Sequence, residues 1–148
     1  MARLKIRQAE LEDIEALLEL EQLFPGDRMG RGSFRHLFKA GKAVIWLAQS
    51  KGRMVADAVV FYRKNAKQAR LYSLIVHPDV RGQGVGTKLL KHAEVSAKQQ
   101  GYQGMRLEVR QDNKAAIHLY EQAGYQIKAL VKDYYDDHCG ALKMQKGF

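Results

Sequence analysis

The period of the apolar positions changes repeatedly along the chain, and each change marks an element. Residues 3–7 alternate basic with apolar residues, with Leu4 and Ile6 on one side, and read as a first strand. Leu11, Ile14, Leu17 and Leu18 then recur at helical spacing with acids on the other face. That pattern predicts an amphipathic helix ending near Pro25-Gly26. Gly30 and Gly32 punctuate the next stretch, Ser33 reads as an N-cap, and Phe34, Leu37 and Phe38 predict a short second helix stopped at Gly41. Residues 44–48, 54–62 and 69–76 are apolar, β-branched runs separated by Lys51-Gly52 and by the polar stretch 64–68, which predicts three strands in a meander.

Beyond His77-Pro78 the helical period returns. Val85, Leu89, Leu90, Ala93 and Ala97 predict a helix from a glycine-rich turn to about Gln100, ended by Gly101. Met105, Leu107 and Val109 alternate with Arg106, Glu108 and Arg110, as a half-buried strand does. Residues 113–122 read as a helix closed by Gly124. Two last strands, 125–132 and 141–145, flank a turn rich in Tyr and Asp. The order is that of a mixed α/β domain, and 148 residues suffice for one hydrophobic core without disulfide or metal staples.

Charge and cysteine content narrow the function classes. The chain carries 25 Lys and Arg against 16 Asp and Glu, sorted along its length. Six acids and no base fall between Glu10 and Glu21, whereas seven bases and no acid fall between Arg28 and Arg53, and Arg63, Lys64, Lys67 and Arg70 extend the bias. Such a field concentrates polyanions, whether a phosphorylated cofactor or nucleic acid. No nucleic-acid signature accompanies it, so nucleic acid is not an expected partner. Residues 1–13 mix charged and apolar residues with no uninterrupted apolar stretch, and no apolar run reaches the roughly 20 residues that span a bilayer, so neither a signal segment nor a membrane partner is expected. The single Cys139 excludes an internal disulfide and suits a reducing, cytoplasmic setting. His36, His77, His92, His118 and His138 show no metal-ligand spacing, and no metal is expected.

The segment Arg81-Gly82-Gln83-Gly84-Val85-Gly86-Thr87 lies between a strand and a helix, where main-chain N–H groups can face an anion at the positive end of the helix dipole. It fits neither the P-loop nor the G-x-G-x-x-G spacing, which fails at Thr87. The plainer reading is a tight strand-to-helix turn.

Together with Leu74-Ile75-Val76-His77-Pro78, this segment resembles the acetyl-CoA motif of the GNAT N-acetyltransferases, in which Arg or Gln precedes x-x-G-x-G/A. A second block, Leu107-Glu108-Val109-Arg110 with Asn113 and then Ile117-His118-Leu119-Tyr120-Glu121-Gln122-Ala123-Gly124-Tyr125, is similar to the downstream segment of that superfamily. The resemblance covers most of the chain. It implies a single GNAT-like α/β domain over residues 1–148, with a mixed, mostly antiparallel sheet of about seven strands flanked by about four helices. Within the superfamily, the second block, Tyr134-Tyr135 and Ala141-Leu142-x-Met144 resemble the ribosomal-protein-alanine N-acetyltransferases, while Asp136-Asp137-His138-Cys139-Gly140 departs from the expected turn.

The resemblance implies acetyl-CoA as cosubstrate, with Leu74, Ile75 and Val76 offering main-chain hydrogen bonds to the pantetheine arm. It implies that Arg81, Gly82, Gln83, Gly84, Val85, Gly86 and Thr87 surround the pyrophosphate, Arg81 as a charge neighbour, and that Asn113 holds the arm from the other side. Direct acyl transfer to an amine requires a neutral nucleophile, a stabilised oxyanion and a proton for the leaving thiolate. Glu108 is the candidate base and Tyr120 the candidate acid. The plainer readings are an ion pair of Glu108 with Arg106 or Arg110, and core packing for Tyr120. The expected acceptor is a protein or peptide N-terminal amine. The alternatives are a small amine such as a polyamine, amino acid or aminoglycoside, or a noncatalytic module binding CoA or nucleic acid.

Overall fold

Among the described residues seven strands form one sheet in the order β1-β2-β3-β4-β5-β7-β6, namely β1 (Leu4–Gln8), β2 (Ala43–Ser50), β3 (Arg53–Phe61), β4 (Gln68–Val76), β5 (Gly104–Arg110), β6 (Gln126–Val131) and β7 (Ala141–Gly147). The computed structural model describes residues 3–24 and 30–148. Its helices are α1 (Ile14–Glu21), α2 (Arg31–Ala40), α3 (Val85–Gln99) and α4 (Lys114–Gln122), with short 3-10 turns at Leu11–Asp13 and Pro78–Val80. Every neighbouring pair is antiparallel except β4 and β5, whose parallel pairing demands a crossover, supplied by α3.

The burial pattern explains which strands alternate. On one face α3 and α4 bring Leu89, Leu90, Ala93 and Ile117 against Ala56, Ala58, Leu71 and Leu107. On the other, α1 and α2 bring Leu17, Phe34 and Leu37 against Ile45, Leu47 and Val59. β3 is covered on both faces and therefore reads as an almost unbroken apolar run. β5 buries Met105, Leu107 and Val109 under the helices and leaves Arg106, Glu108 and Arg110 part-exposed on the reverse face, so it alternates.

Two sequence expectations are corrected here. Ser33 does not cap α2. Gly30 is the N-cap, in extended conformation, and its carbonyl accepts from the Phe34 N–H at 3.1 Å, which puts Ser33 inside the first turn. The helical bonding thus starts three residues before Ser33, so Ser33 does not stand at the helix boundary where a cap acts, and Phe34 and Leu37 are buried on the core face. α1 ends at Glu21 rather than near Pro25-Gly26, a dipeptide outside the described residues.

One irregularity in β4 shapes everything downstream. Val59 pairs with Ser73 and Val60 with Leu71, so Tyr72 is an extra residue opposite one step of β3. Such a bulge bends its strand. Pairing of β4 with β5 ends at Leu71 and Leu107, and beyond that pair the two strands fork.

Candidate active site

The fork opens a cleft of about 430 Å³ lined by Arg70, Tyr72, Ser73 and Leu74 from β4, Glu108, Val109 and Arg110 from β5, Asn113, Ala116 and Tyr120 from α4, and Tyr134, Tyr135 and Asp136 from the loop between β6 and β7. On the β4 side, Leu74, Ile75 and Val76 pair with Ala58, Asp57 and Ala56 of β3 through one edge. Their other edge has left β5 and has main-chain groups to offer to an extended, amide-bearing chain.

At the end of β4 the glycine-rich turn leads into α3. Gly82 and Gly84 have φ of 79° and 77°, the left-handed region that glycine enters without a Cβ penalty. Gly84 is the N-cap of α3 and has no side chain with which to satisfy the first amides, while its carbonyl accepts from the Lys88 N–H at 3.0 Å. The N–H groups of Val85, Gly86 and Thr87 thus face outward at the positive helix end, a donor set suited to a diphosphate. Gly86 has another task. A Cβ there would lie 2.9 Å from Leu119 Cδ1 and 3.3 Å from Val76 Cγ2, so its hydrogen atom lets α3 pack against α4 and β4. Val85 is buried, so of its groups only the backbone can meet a ligand, whereas Gln83 and Thr87 are exposed. The Arg81 guanidinium lies 5.5 Å from the centre of the Phe24 ring.

The resemblance implies that Asn113 contacts the pantetheine arm, yet its Oδ1 accepts from the Ala116 N–H at 3.1 Å and caps α4. Its amide NH2 is the group left to face the cleft. Glu108 is the first residue of β5 past the last β4 pair. One carboxylate oxygen accepts from Arg106 and the other from Arg70, each at 3.2 Å, and its strand partner on β7 is Lys143. Arg70 was absent from the expected site because it lies 38 residues from Glu108 in sequence; its place in a basic run was the only signal.

Of the two partners named by the plainer reading, Arg106 pairs with Glu108 and Arg110 does not. The Arg110 guanidinium reaches Asp112 at 3.2 Å and Asp137 at 2.5 Å, and stands 5.0 Å from the centre of the Tyr135 ring. These contacts join the β6–β7 loop to the end of β5 and hold Tyr134, Tyr135 and Asp136 at the cleft wall. Tyr120 belongs both to the core and to the cleft lining, at 7% exposure. Burial, with a smaller contribution from Tyr135, pushes its phenol above the ordinary tyrosine range, so the hydroxyl keeps its proton at neutral pH.

Among the described residues, no group of His, Cys, Asp and Glu side chains has the arrangement of a metal site. Among the same residues, no helix is long and apolar enough to cross a membrane.

Comparison with known proteins finds N-acetyltransferases. An uncharacterized N-acetyltransferase of Methanocaldococcus jannaschii is 26% identical over 143 residues, covering 87% of this chain and 63% of that one. The ribosomal protein bS18-alanine N-acetyltransferase of Escherichia coli K12 is 36% identical over 84 residues, covering 57% of this chain and 55% of its own. These matches thus span between about half and two thirds of the length of the curated relatives. The crystal structure of the Escherichia coli ribosomal-protein-S18-alanine N-acetyltransferase superposes with a TM-score of 0.88 at 27% identity, covering 98% of this chain and 94% of that one. Residues 11–125, which hold α1, the forked strands, the glycine turn and α4, match the acetyltransferase (GNAT) family, and the chain belongs to that family.

Proposed function

We propose that this chain transfers the acetyl group of acetyl-CoA directly to an amine, and that the acceptor is a protein or peptide N-terminal α-amine. The observation that carries the reading is the meeting, in one cleft, of an open strand edge, a carboxylate and a protonated phenol, with the start of α3, whose N-cap Gly84 has no side chain to occupy its amides, beyond the end of the same strand. Acetyl-CoA supplies a thioester, an activated acyl group. Leu74, Ile75 and Val76 are suited to align its amide-bearing arm, the amides of Val85, Gly86 and Thr87 to receive its diphosphate, and the Asn113 NH2 to brace the arm from α4.

Glu108 acts as base toward the acceptor ammonium, directly or through water, with Arg70 and Arg106 fixing the direction of its carboxylate. Tyr120 holds a proton at the cleft wall and donates toward developing negative charge. The preference for an α-amine rests on proton supply and on shape. At pH 7 about a tenth of α-amines are neutral, against well under a thousandth of lysine side chains, so one carboxylate serves the former far better. Tyr134 and Tyr135 narrow the entrance, and Asp136 lies where a cation enters. Asp137 and Asp133, two other acids of the loop, are drawn to Arg110 and His138.

The test uses acetyl-CoA with three acceptors, read by mass spectrometry: a peptide with a free N-terminus and no lysine, an N-blocked peptide with one internal lysine, and spermidine. The expected product is the N-terminally acetylated peptide. Acetylation of the blocked peptide at a comparable rate, or of spermidine far faster than either, overturns the acceptor assignment.

A further inference from the structure

Apart from Arg70, the basic run that begins at Arg63 takes no part in the cleft, and the fold gathers it elsewhere. Lys42 stands just before β2, Arg63 and Lys64 just after β3, Lys67 just before β4, and Arg106 early in β5. These four strands are consecutive in the sheet, so the cations meet at one pole. Backbone and side-chain bonds tie the pole together. The Tyr62 N–H donates to the Lys42 carbonyl and the Gln103 N–H to the Lys67 carbonyl, both at 2.8 Å, and the Tyr102 hydroxyl donates to the Arg63 carbonyl at 3.3 Å. Lys39 and Lys98 join from the last turns of α2 and α3. No acid occurs in residues 39–42, 61–70 or 98–107.

Part of this charge has a structural use. Arg106 pairs with Glu108, and Lys39 and Lys98 complement the negative ends of their helices. Lys42, Arg63, Lys64 and Lys67 are all exposed and have no acid partner among the described residues. Four strand ends about 4.8 Å apart span roughly 14 Å, a length over which duplex nucleic acid carries about eight phosphates. A protein partner or a lipid surface needs an apolar centre or insert, and among the described residues the pole offers Phe148, 36% exposed, and the edges of the half-buried, mutually packed Tyr62 and Tyr102. The chain lacks a base-reading motif, and backbone contacts need none.

We propose that this pole docks the phosphate backbone of a nucleic acid. Along β4 the near end of the cleft, at Arg70, lies about 7 Å from Gln68 at the pole, and its open edge, at Leu74, about 20 Å. The inference is independent of which amine is the acceptor.

The test compares the wild-type chain with a pole variant (Lys42→Glu, Arg63→Glu, Lys64→Glu, Lys67→Glu) and a remote variant (Arg3→Glu, Lys5→Glu, Lys51→Glu, Lys132→Glu) of identical net charge. Circular dichroism and melting curves check that all three are folded. Binding is read by fluorescence anisotropy with 20-base-pair duplex RNA, duplex DNA of the same sequence, and phosphatidylserine vesicles. About five phosphate contacts predict a slope of log K against log salt of about −4 to −5, a loss on the order of several hundredfold from 50 to 200 mM KCl. The expected result is binding to one or both duplexes that the remote variant largely retains and the pole variant loses by at least about tenfold, with a shallower slope. Equal weakening of the two variants, absence of wild-type binding at 50 mM KCl, or vesicles matching the duplexes overturns the proposal.

Discussion

Replacing Asp57 with Asn should stabilise the protein at neutral pH and leave it almost unchanged in acid. Asp57 lies in the middle of β3, fully buried, and neither carboxylate oxygen has a hydrogen-bond partner among the described residues. Burial pushes its carboxyl well above the ordinary range, and the negative charge of Glu21 on α1, itself only 3% exposed, adds to the shift. The unfolded group titrates near 3.9, so between that value and the raised native one the folded chain holds one more proton than the unfolded chain. Its contribution to stability is therefore complete below about pH 4 and declines by about 1.4 kcal/mol per pH unit as pH rises toward the native pKa. Asn reproduces the shape of the protonated acid and does not titrate. The difference between Asp57→Asn and wild type should thus grow from near zero at pH 4 to at most about 4 kcal/mol at pH 7, the limit in which the native group keeps its proton throughout. Urea unfolding at one-unit steps from pH 4 to pH 8 measures it. Stability differences that stay constant across that range, or a variant less stable than wild type at pH 7, would refute the reasoning.

Gly86→Ala puts a methyl 2.9 Å from Leu119 Cδ1 and should cost about 1–3 kcal/mol, several degrees of Tm, with weaker stabilisation by acetyl-CoA because α3 is pushed from β4. Thermal melting with and without acetyl-CoA checks it. Glu108→Gln should lower kcat by about 10²-fold or more near neutral pH, with the loss shrinking as pH rises toward the acceptor amine's own pKa; wild-type rates at pH 7 would remove Glu108 as base. Arg110→Asp should raise KM for the acceptor peptide while leaving acetyl-CoA affinity in place, and Asp137→Arg in the same chain should restore part of the loss. Arg110→Lys should rescue poorly, because one ammonium cannot bridge Asp112, Asp137 and the Tyr135 ring together.

What could be read from the sequence followed from periodicity and motif. The alternation of Met105, Leu107 and Val109 with Arg106, Glu108 and Arg110 identified both a strand and its polar face, because β5 is covered on one side only. The glycine turn was legible through spacing, but spacing could not separate Gly84, which needs its backbone conformation, from Gly86, which needs the absence of a side chain. Asp57 vanished into an apolar run because a strand buried on both faces offers no alternation against which one acid stands out. The bulge at Tyr72 was invisible for a different reason: register belongs to a pair of strands, and the partner residues Val59 and Val60 carry no mark of it.

That bulge is also where the fold and the proposed chemistry meet. Without an extra residue in β4, the parallel pairing with β5 could continue past Leu71 and Leu107, and the edge carrying Leu74, Ile75 and Val76 would be consumed by main-chain hydrogen bonds to β5. Glu108 would then lie in a closed sheet between paired strands instead of at the opening of a fork. Arg70 sits on β4 just before the fork and Arg106 on β5 just before Glu108, so the two guanidinium groups reach the carboxylate from the closed side and leave its open side toward the cleft. A single inserted residue thus exposes the backbone that can align an acyl donor and directs the carboxylate that can receive a proton from its acceptor, which ties cosubstrate binding and base placement to one local feature of β4.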